Sequence, residues 1–347
     1  MQLGLQLGYW PARPPTGVPE LVAEAERLGY DSIWTAEAYG SDAFTPLAWW
    51  GSQTSRIKLG TDLAQLSART PTATAMTAMT LDHLSGGRFV LGLGVSGPQV
   101  VEGWYGQPFG KPLQRTREYV DIMRRIWARQ EPVTYDGAQY ELPVPADRPG
   151  STGLGKALKS IVHPLRPDIP VYLGAEGPKN IALAAEIGDG WFPIFYAPTN
   201  DDYARKALAE GFAREGARHG ADTFEVAATV PVLCHDDVEV AADMIRPFLA
   251  LYVGGMGARD ANFHLDVFAR MGYEAEAVRI QELYLAGDKA AATALVPRKL
   301  VEEVALIGPR EKVRDELARW EESLVTTLLI GSHDLATVRM MAELVLR

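Results

Sequence analysis

Strand-like and helix-like patterns alternate from the first residues almost to the last, and this rhythm restricts the chain more than any single motif. Leu3, Leu5 and Leu7 alternate with period two. Val18, Leu21, Val22, Ala25 and Leu28 then follow helical spacing until Gly29 stops the helix. Apolar strand patterns at 3–8, 32–35, 57–62, 89–94, 171–174, 191–195, 224–234 and 325–330 are each followed by helical material. Eight βα units suit an α/β fold of the (β/α)8 TIM-barrel type, which takes ~250 residues. A doubly wound open sheet accommodates the same pattern, because a strand count does not close a sheet. Either fold gathers its functional residues at the C-terminal ends of the strands.

The chain of 347 residues leaves two stretches outside this rhythm. Residues 131–170 are rich in Pro and Gly, and Tyr135-Asp136-Gly137-Ala138-Gln139-Tyr140 reads as a small hairpin. Residues 236–304 are helical in composition and far longer than one crossover needs. Both read as insertions in a single domain spanning 1–347, the second capping a pocket. A charged helix is expected from Asp201 to about His219, and a loop with Trp104-Tyr105-Gly106 follows the fourth strand.

Composition narrows the partners. A net charge of −10 argues against a nucleic-acid groove or an anionic membrane surface. No apolar run reaches the ~20 residues of a membrane span, and no signal stretch precedes the first strand pattern, so a cytoplasmic location is expected. The single cysteine, Cys234, lies in an apolar run and reads as a buried, inert thiol. The six histidines form no metal-binding motif, and no Gly-x-Ser-x-Gly elbow supports a serine hydrolase.

Several strand ends carry chemistry-bearing residues. Leu59-Gly60-Thr61-Asp62-Leu63-Ala64-Gln65 is an apolar strand interrupted by Asp62 and Gln65, and Thr70-Pro71 then marks a helix start. The strand Phe89 to Gly94 opens into Val95-Ser96-Gly97. If parallel, these two ends lie side by side and could hold a flat cofactor. Gly174-Ala175-Glu176-Gly177-Pro178 joins a strand to a helix N-terminus, whose free N–H groups suit an anion such as phosphate. A tight βα turn uses the same residues, and the segment matches no Walker or Rossmann fingerprint. Glu37, just past the second strand, could orient a substrate or relay a proton; a salt-bridged glutamate is the plainer alternative. Tyr9, Trp10, Trp104, Tyr105, Trp191, Phe195 and Tyr196 cluster near strand ends as pocket lining or as packing. A phosphate site without a triad or a metal points to an organic cofactor.

The chain resembles the luciferase-like flavin and deazaflavin oxidoreductases, and within them the coenzyme F420-dependent branch that includes methylenetetrahydromethanopterin reductase. The resemblance rests on Ser32-Ile33-Trp34-Thr35-Ala36-Glu37-Ala38-Tyr39, on Leu59-Gly60-Thr61 through Pro71, on Leu84-Ser85-Gly86-Gly87-Arg88 followed by Leu91-Gly92-Leu93-Gly94, and on Leu173 through Asn180. It implies a luciferase-like TIM barrel whose third strand ends in a bulge with a non-prolyl cis peptide, here Asp62–Leu63, against which the deazaflavin ring lies. It also implies that Gln65 meets the ring's polar edge and that Val95, Ser96 and Gly97 lie along the ring and ribityl chain. Gly174, Ala175, Glu176, Gly177 and Pro178 would then hold the phosphate.

Two departures limit the transfer of a mechanism. Some F420-dependent dehydrogenases have a histidine after the acidic residue that follows strand two, where this chain has Ala38. Many have a glutamate where Gly97 stands. Proton donation is left to Glu37 and Tyr39 as candidates. The expectation is an F420-dependent hydride-transfer enzyme that acts on a small molecule without a metal and works as a homodimer. An FMN-dependent monooxygenase on the same barrel and a non-catalytic deazaflavin-binding protein are the alternatives.

Overall fold

The computed structural model describes every residue except Pro11, Ala258, Asp260, Ala261 and Arg347. Its strands, in chain order, are β1 (Gln2–Gly8), β2 (Ser32–Thr35), β3 (Lys58–Thr61), β4 (Ala64–Gln65), β5 (Phe89–Gly94), β6 (Tyr135–Asp136) and β7 (Glu141–Leu142). They continue with β8 (Val171–Gly174), β9 (Gly190–Phe192), β10 (Glu225–Cys234), β11 (Leu306–Gly308) and β12 (Thr327–Gly331). Neighbours run β1-β2-β3-β5-β8-β9-β10-β12, and β12 pairs again with β1. All these pairings are parallel. The sheet is therefore a closed eight-stranded barrel, not a doubly wound open sheet.

The helices before the fifth barrel strand are α1 (Val18–Leu28), α2 (Phe44–Gly51), α3 (Pro71–Ser85), α4 (Pro98–Gly103) and α5 (Pro112–Ala128). Helix α3 starts where the sequence signals it, with the Thr70 hydroxyl accepting from the Ala73 N–H and Pro71 in the first turn. Helix α5 buries Tyr119, Ile122, Met123, Ile126 and Trp127 on one face. Each such side chain contributes about 1.5–3 kcal/mol of transfer free energy. Then come α6 (Pro178–Ile187) and α7 (Asp201–Phe212). Helix α7 stops short of His219, because its last turn closes on Ala213 and the chain turns at Gly216, whose φ is +81°.

The barrel interior is filled by an aromatic cluster around Trp34, which glycines on the adjoining strands leave room for. Trp34 on β2 packs edge-on against Phe192 at 5.0 Å and stacks on Tyr172 at 5.9 Å. A Cβ on Gly60 of β3 would collide with the indole, and one on Gly4 of β1 would collide with Leu329. Glycine at these positions lets the plug form. Side chains two residues further along a strand return to the same face. Gln6, Asp62 and Thr229 stand two residues beyond Gly4, Gly60 and Ala227, so a polar layer covers the aromatic plug at the barrel mouth.

The first excursion contains the hairpin β6–β7, antiparallel as its residues suggest. Its turn is organised by buried Glu118 on α5, which accepts from the N–H groups of Ala138, Gln139 and Tyr140. The second excursion folds as α8 (Val238–Gly254), α9 (Phe263–Phe268), α10 (Glu274–Leu285), α11 (Lys289–Ala294) and α12 (Arg298–Val304). Within 236–304, positions 258, 260 and 261 lie outside the described residues. These helices share a core around Phe195, Leu249, Phe268, Ile280 and Val301. The chain then passes through β11 and α13 (Arg310–Glu321) to β12, and α14 (Leu335–Val345) closes the fold.

Strand β11 has no counterpart in the sequence reading, because three residues after a helix leave too short a pattern. It pairs only with the far end of β10, Cys234 opposite Gly308. That position corrects the expectation for the thiol: Cys234 is exposed, since β10 has run beyond the barrel wall by its last residue. No described helix is long and apolar enough to cross a membrane.

Candidate active site

The third barrel strand stops at Thr61 and the next peptide bond, Asp62–Leu63, is cis. The Thr61 hydroxyl donates to the Gly92 carbonyl at 2.8 Å and accepts from the Gly92 N–H at 2.9 Å, so a side chain replaces the ladder there. A Cβ at Gly92 would strike the Thr61 carbonyl oxygen. Pairing resumes through β4, with Ala64 opposite Leu93 and Gln65 opposite Gly94. The Leu63 side chain lies over Gly94 and Gly174, where any Cβ would meet its methyl carbons. Three strand ends thus form one apolar wall facing the barrel mouth.

Glu37 holds that wall in place. Its Oε1 accepts from the Gln65 N–H at 2.7 Å and from Arg69 Nη1 at 2.6 Å, and its Oε2 accepts from the Ala43 N–H at 3.2 Å. The Gln65 side-chain amide donates to the Glu37 carbonyl, and the Glu37 N–H donates to the Leu63 carbonyl. The Glu37 side chain is only 3% exposed, so its charge depends on Arg69 for compensation. The arrangement is the salt-bridged alternative, and it places Glu37 behind the bulge. Tyr39 is 56% exposed on the rim.

Asp62 points the other way, across the barrel. Its Oδ2 accepts from Gln6 Nε2 on β1 at 2.6 Å and from the Thr229 hydroxyl on β10 at 3.4 Å. Burial pushes its carboxyl up to about 7, against the lowering effect of those two donors. Tyr252 of α8 interacts electrostatically with Asp62, Tyr9, Tyr39 and Glu176, and burial raises its phenol as well. These groups therefore stand within electrostatic reach of one another at the barrel mouth.

The loop from Gly174 to Pro178 reaches the N-terminus of α6, which no side chain caps. A Cβ on Gly177 would enter open space, leaving that helix end accessible to an anion. Trp191 Nε1 donates to the Ala175 carbonyl at 2.8 Å and Arg270 Nη2 to the Glu176 carbonyl at 3.0 Å, fixing the loop from both sides. His264 Nδ1 lies 2.8 Å from Glu176 Oε1. Val95 and Ser96 are half-buried, Ser96 with φ of +60°, and a Cβ on buried Gly97 would lie 3.8 Å from Phe263.

The structure thus brings Asp62, Leu63, Gln65, Val95–Gly97 and 174–178 to one rim. Sequence reading missed Gln6, Thr229 and Arg69, and it missed Tyr252, Phe263, His264 and Arg270 from the second excursion. Tyr252 and Phe263 pack on His264 with ring centroids 4.9 and 4.5 Å away. The available signals were a polar residue in an otherwise Leu-Gly strand (Gln6) and Asn262, which caps α9. Of the expected aromatic lining, Trp191 and Tyr196 are buried, Tyr9 is half-buried, and Trp104 is 65% exposed.

Comparison with known proteins places the chain among relatives of the same fold. A family model described as luciferase-like monooxygenase matches residues 5–327. A Mycobacterium tuberculosis protein, provisionally named a coenzyme F420-dependent oxidoreductase, is 57% identical over 345 residues, 99% of each chain. The 5,10-methylenetetrahydromethanopterin reductase of Archaeoglobus fulgidus is 27% identical over 89% of this chain and 87% of its own. The solved coenzyme F420-dependent tetrahydromethanopterin reductase of Methanopyrus kandleri superposes with a TM-score of 0.81 at 25% identity, covering 99% of this chain and 98% of that one.

If Glu37 and Arg69 hold the bulge as a pair, Arg69→Met destabilises the fold by about 2–4 kcal/mol, because it strands a buried charge. Adding Glu37→Gln recovers much of that loss in a double-mutant cycle measured by urea unfolding. A single variant as stable as wild type would contradict the arrangement.

Proposed function

The chain belongs to the luciferase-like monooxygenase family, and from that premise we propose that it is a coenzyme F420-dependent oxidoreductase acting on a small organic molecule. The observation that carries this reading is the bulge, a glycine-backed apolar wall with an unmatched polar atom at its edge. Gln65 Oε1 is buried and has no hydrogen-bond partner among the described residues, an arrangement that costs free energy unless a ligand donor satisfies it. A deazaflavin ring leaning on Leu63 has such N–H groups on its polar edge. The identity to the M. tuberculosis relative supports the same cofactor.

F420, when bound, supplies a hydride donor or acceptor at C5 of the deazaflavin. In this reading the Asp62–Leu63 peptide and the Leu63 side chain back the ring while the Asp62 carboxyl points across the barrel mouth to Gln6 and Thr229, and Val95, Ser96 and Gly97 follow the ring toward the ribityl chain. Gly174, Ala175, Glu176, Gly177 and Pro178 present the α6 N-terminus to the phosphate. Phe263 and Tyr252 cover the cleft and exclude water. Near-attack placement contributes ~7–11 kcal/mol, enough that few catalytic side chains are required. Glu37 serves as a positioning residue through Gln65, and Tyr39 stands at the entrance.

The protein works, in the same proposal, as a cytoplasmic homodimer. Exposed Met76 and Leu84 on α3, with Leu154, Leu158 and Ile161 in the first excursion, supply apolar surface for association. Light scattering should give twice the 37.9 kDa chain mass; a monomer would refute that part.

Fluorescence titration with F420 and with FMN tests the cofactor. The expected result is F420 binding with Kd of about 1 μM, on the order of 8 kcal/mol. FMN binding without F420 binding would replace this reading with an FMN-dependent monooxygenase. Turnover on enones, imines, alcohols and pterins, followed by F420 absorbance, is expected with at least one class; silence across all would favour a deazaflavin carrier.

A further inference from the structure

We propose that Asp62 is the catalytic residue that exchanges a proton with the substrate, an inference that rests on the F420 reading above. Asp62 differs from the other carboxylates described near these strand ends, of which Asp42, after β2, lies 4.0 Å from Arg69 and accepts from the Phe44 and Thr45 N–H groups. Glu37 is committed to Arg69 and two backbone donors, and Glu176 lies against His264. Asp62 has no cationic partner among the described residues, and only one of its oxygens is anchored. Oδ2 takes Gln6 and Thr229, while no donor among the described residues reaches Oδ1. The residue is half-buried and adjoins the peptide that backs the ring.

Such a carboxyl is shaped for proton exchange. Burial without a cation favours its neutral form, and the Gln6 and Thr229 anchors fix its orientation. As hydride from the reduced deazaflavin reaches an unsaturated substrate carbon, the π pair moves to the neighbouring atom. That atom takes the proton of Asp62, whose O–H bond breaks and whose electron pair stays on the carboxylate. The substrate is reduced by two electrons and the deazaflavin oxidised by two. In the opposite direction the Asp62 carboxylate accepts the proton.

The groups facing this site are Gln6 on β1, Tyr9 just beyond it, Thr229 on β10, Tyr39 on the rim, Tyr252 on α8, and Glu176 beside His264. Reduction is therefore expected to fall as pH rises through about 7, and oxidation to rise. Stability follows the same titration. Because folding raises this pKa, the stabilisation is full below the ordinary aspartate range and lost as pH rises through the folded value.

Infrared difference titration of the protein labelled with 13C-aspartate, with and without F420, tests the proposal. The expected protonated-carboxyl band persists to about pH 7, disappears in Asp62→Asn and survives in His264→Gln. Asp62→Asn also gains thermal stability on wild type at higher pH and binds F420 within about threefold of it. Its kcat falls ~10²–10⁴-fold, the usual worth of a general acid, on whichever substrate class the panel identifies. A wild-type carboxyl titrating with ordinary aspartates near ~4, or a variant with unchanged kcat, would overturn the role and leave the F420 reading intact. Wild-type protein that binds no F420 would overturn both.

Discussion

The buried carboxylate of Glu37 is the point on which the site depends. Leaving a charge 3% exposed is costly without compensation, and the chain meets that cost with Arg69 and the N–H groups of Gln65 and Ala43. Those partners come from the residues that follow β3 and β2, so satisfying one charge locks two strand ends together. The cis peptide, Leu63 and Gln65 are then presented as one surface. The same glutamate that a motif reading offers as a proton relay is used as a bracket.

Glycine placement completes the surface. Gly92 lets Thr61 exchange side-chain hydrogen bonds with β5, and Gly94 and Gly174 leave room for Leu63. Deeper in the barrel, Gly4 and Gly60 give space around the Trp34 plug. Above that plug the inward positions turn polar, and Gln6, Asp62 and Thr229 form a hydrogen-bonded layer over the core at the barrel mouth. The carboxylates near the rim thus differ in environment: Glu37 and Asp42 lie beside Arg69, Glu176 sits against an imidazole, and Asp62 has neutral partners alone among the described residues.

The barrel was legible because its signals are local. Apolar strand runs, the Thr70-Pro71 helix start and the Gly29 stop belong to neighbouring residues, and the strand-then-helix pattern recurs eight times. The bulge was legible through likeness to a family, since no local rule places a cis bond at Asp62–Leu63. The opposite strands and the second excursion were illegible. Gln6 and Thr229 lie 223 residues apart in sequence, and nothing in either neighbourhood says that both turn toward Asp62. Arg69 could have been paired with any carboxylate. Cys234 misled because its run is apolar, yet β10 outlasts the barrel wall.

We propose that the Asp62–Leu63 bulge is the wall on which a deazaflavin rests. A crystal structure of the protein with F420 tests this most directly. The expected result is the ring against Leu63, its polar-edge N–H within ~3.2 Å of Gln65 Oε1, and the phosphate at Gly177. A ring seated away from the bulge, with Gln65 Oε1 still unpaired, would contradict it.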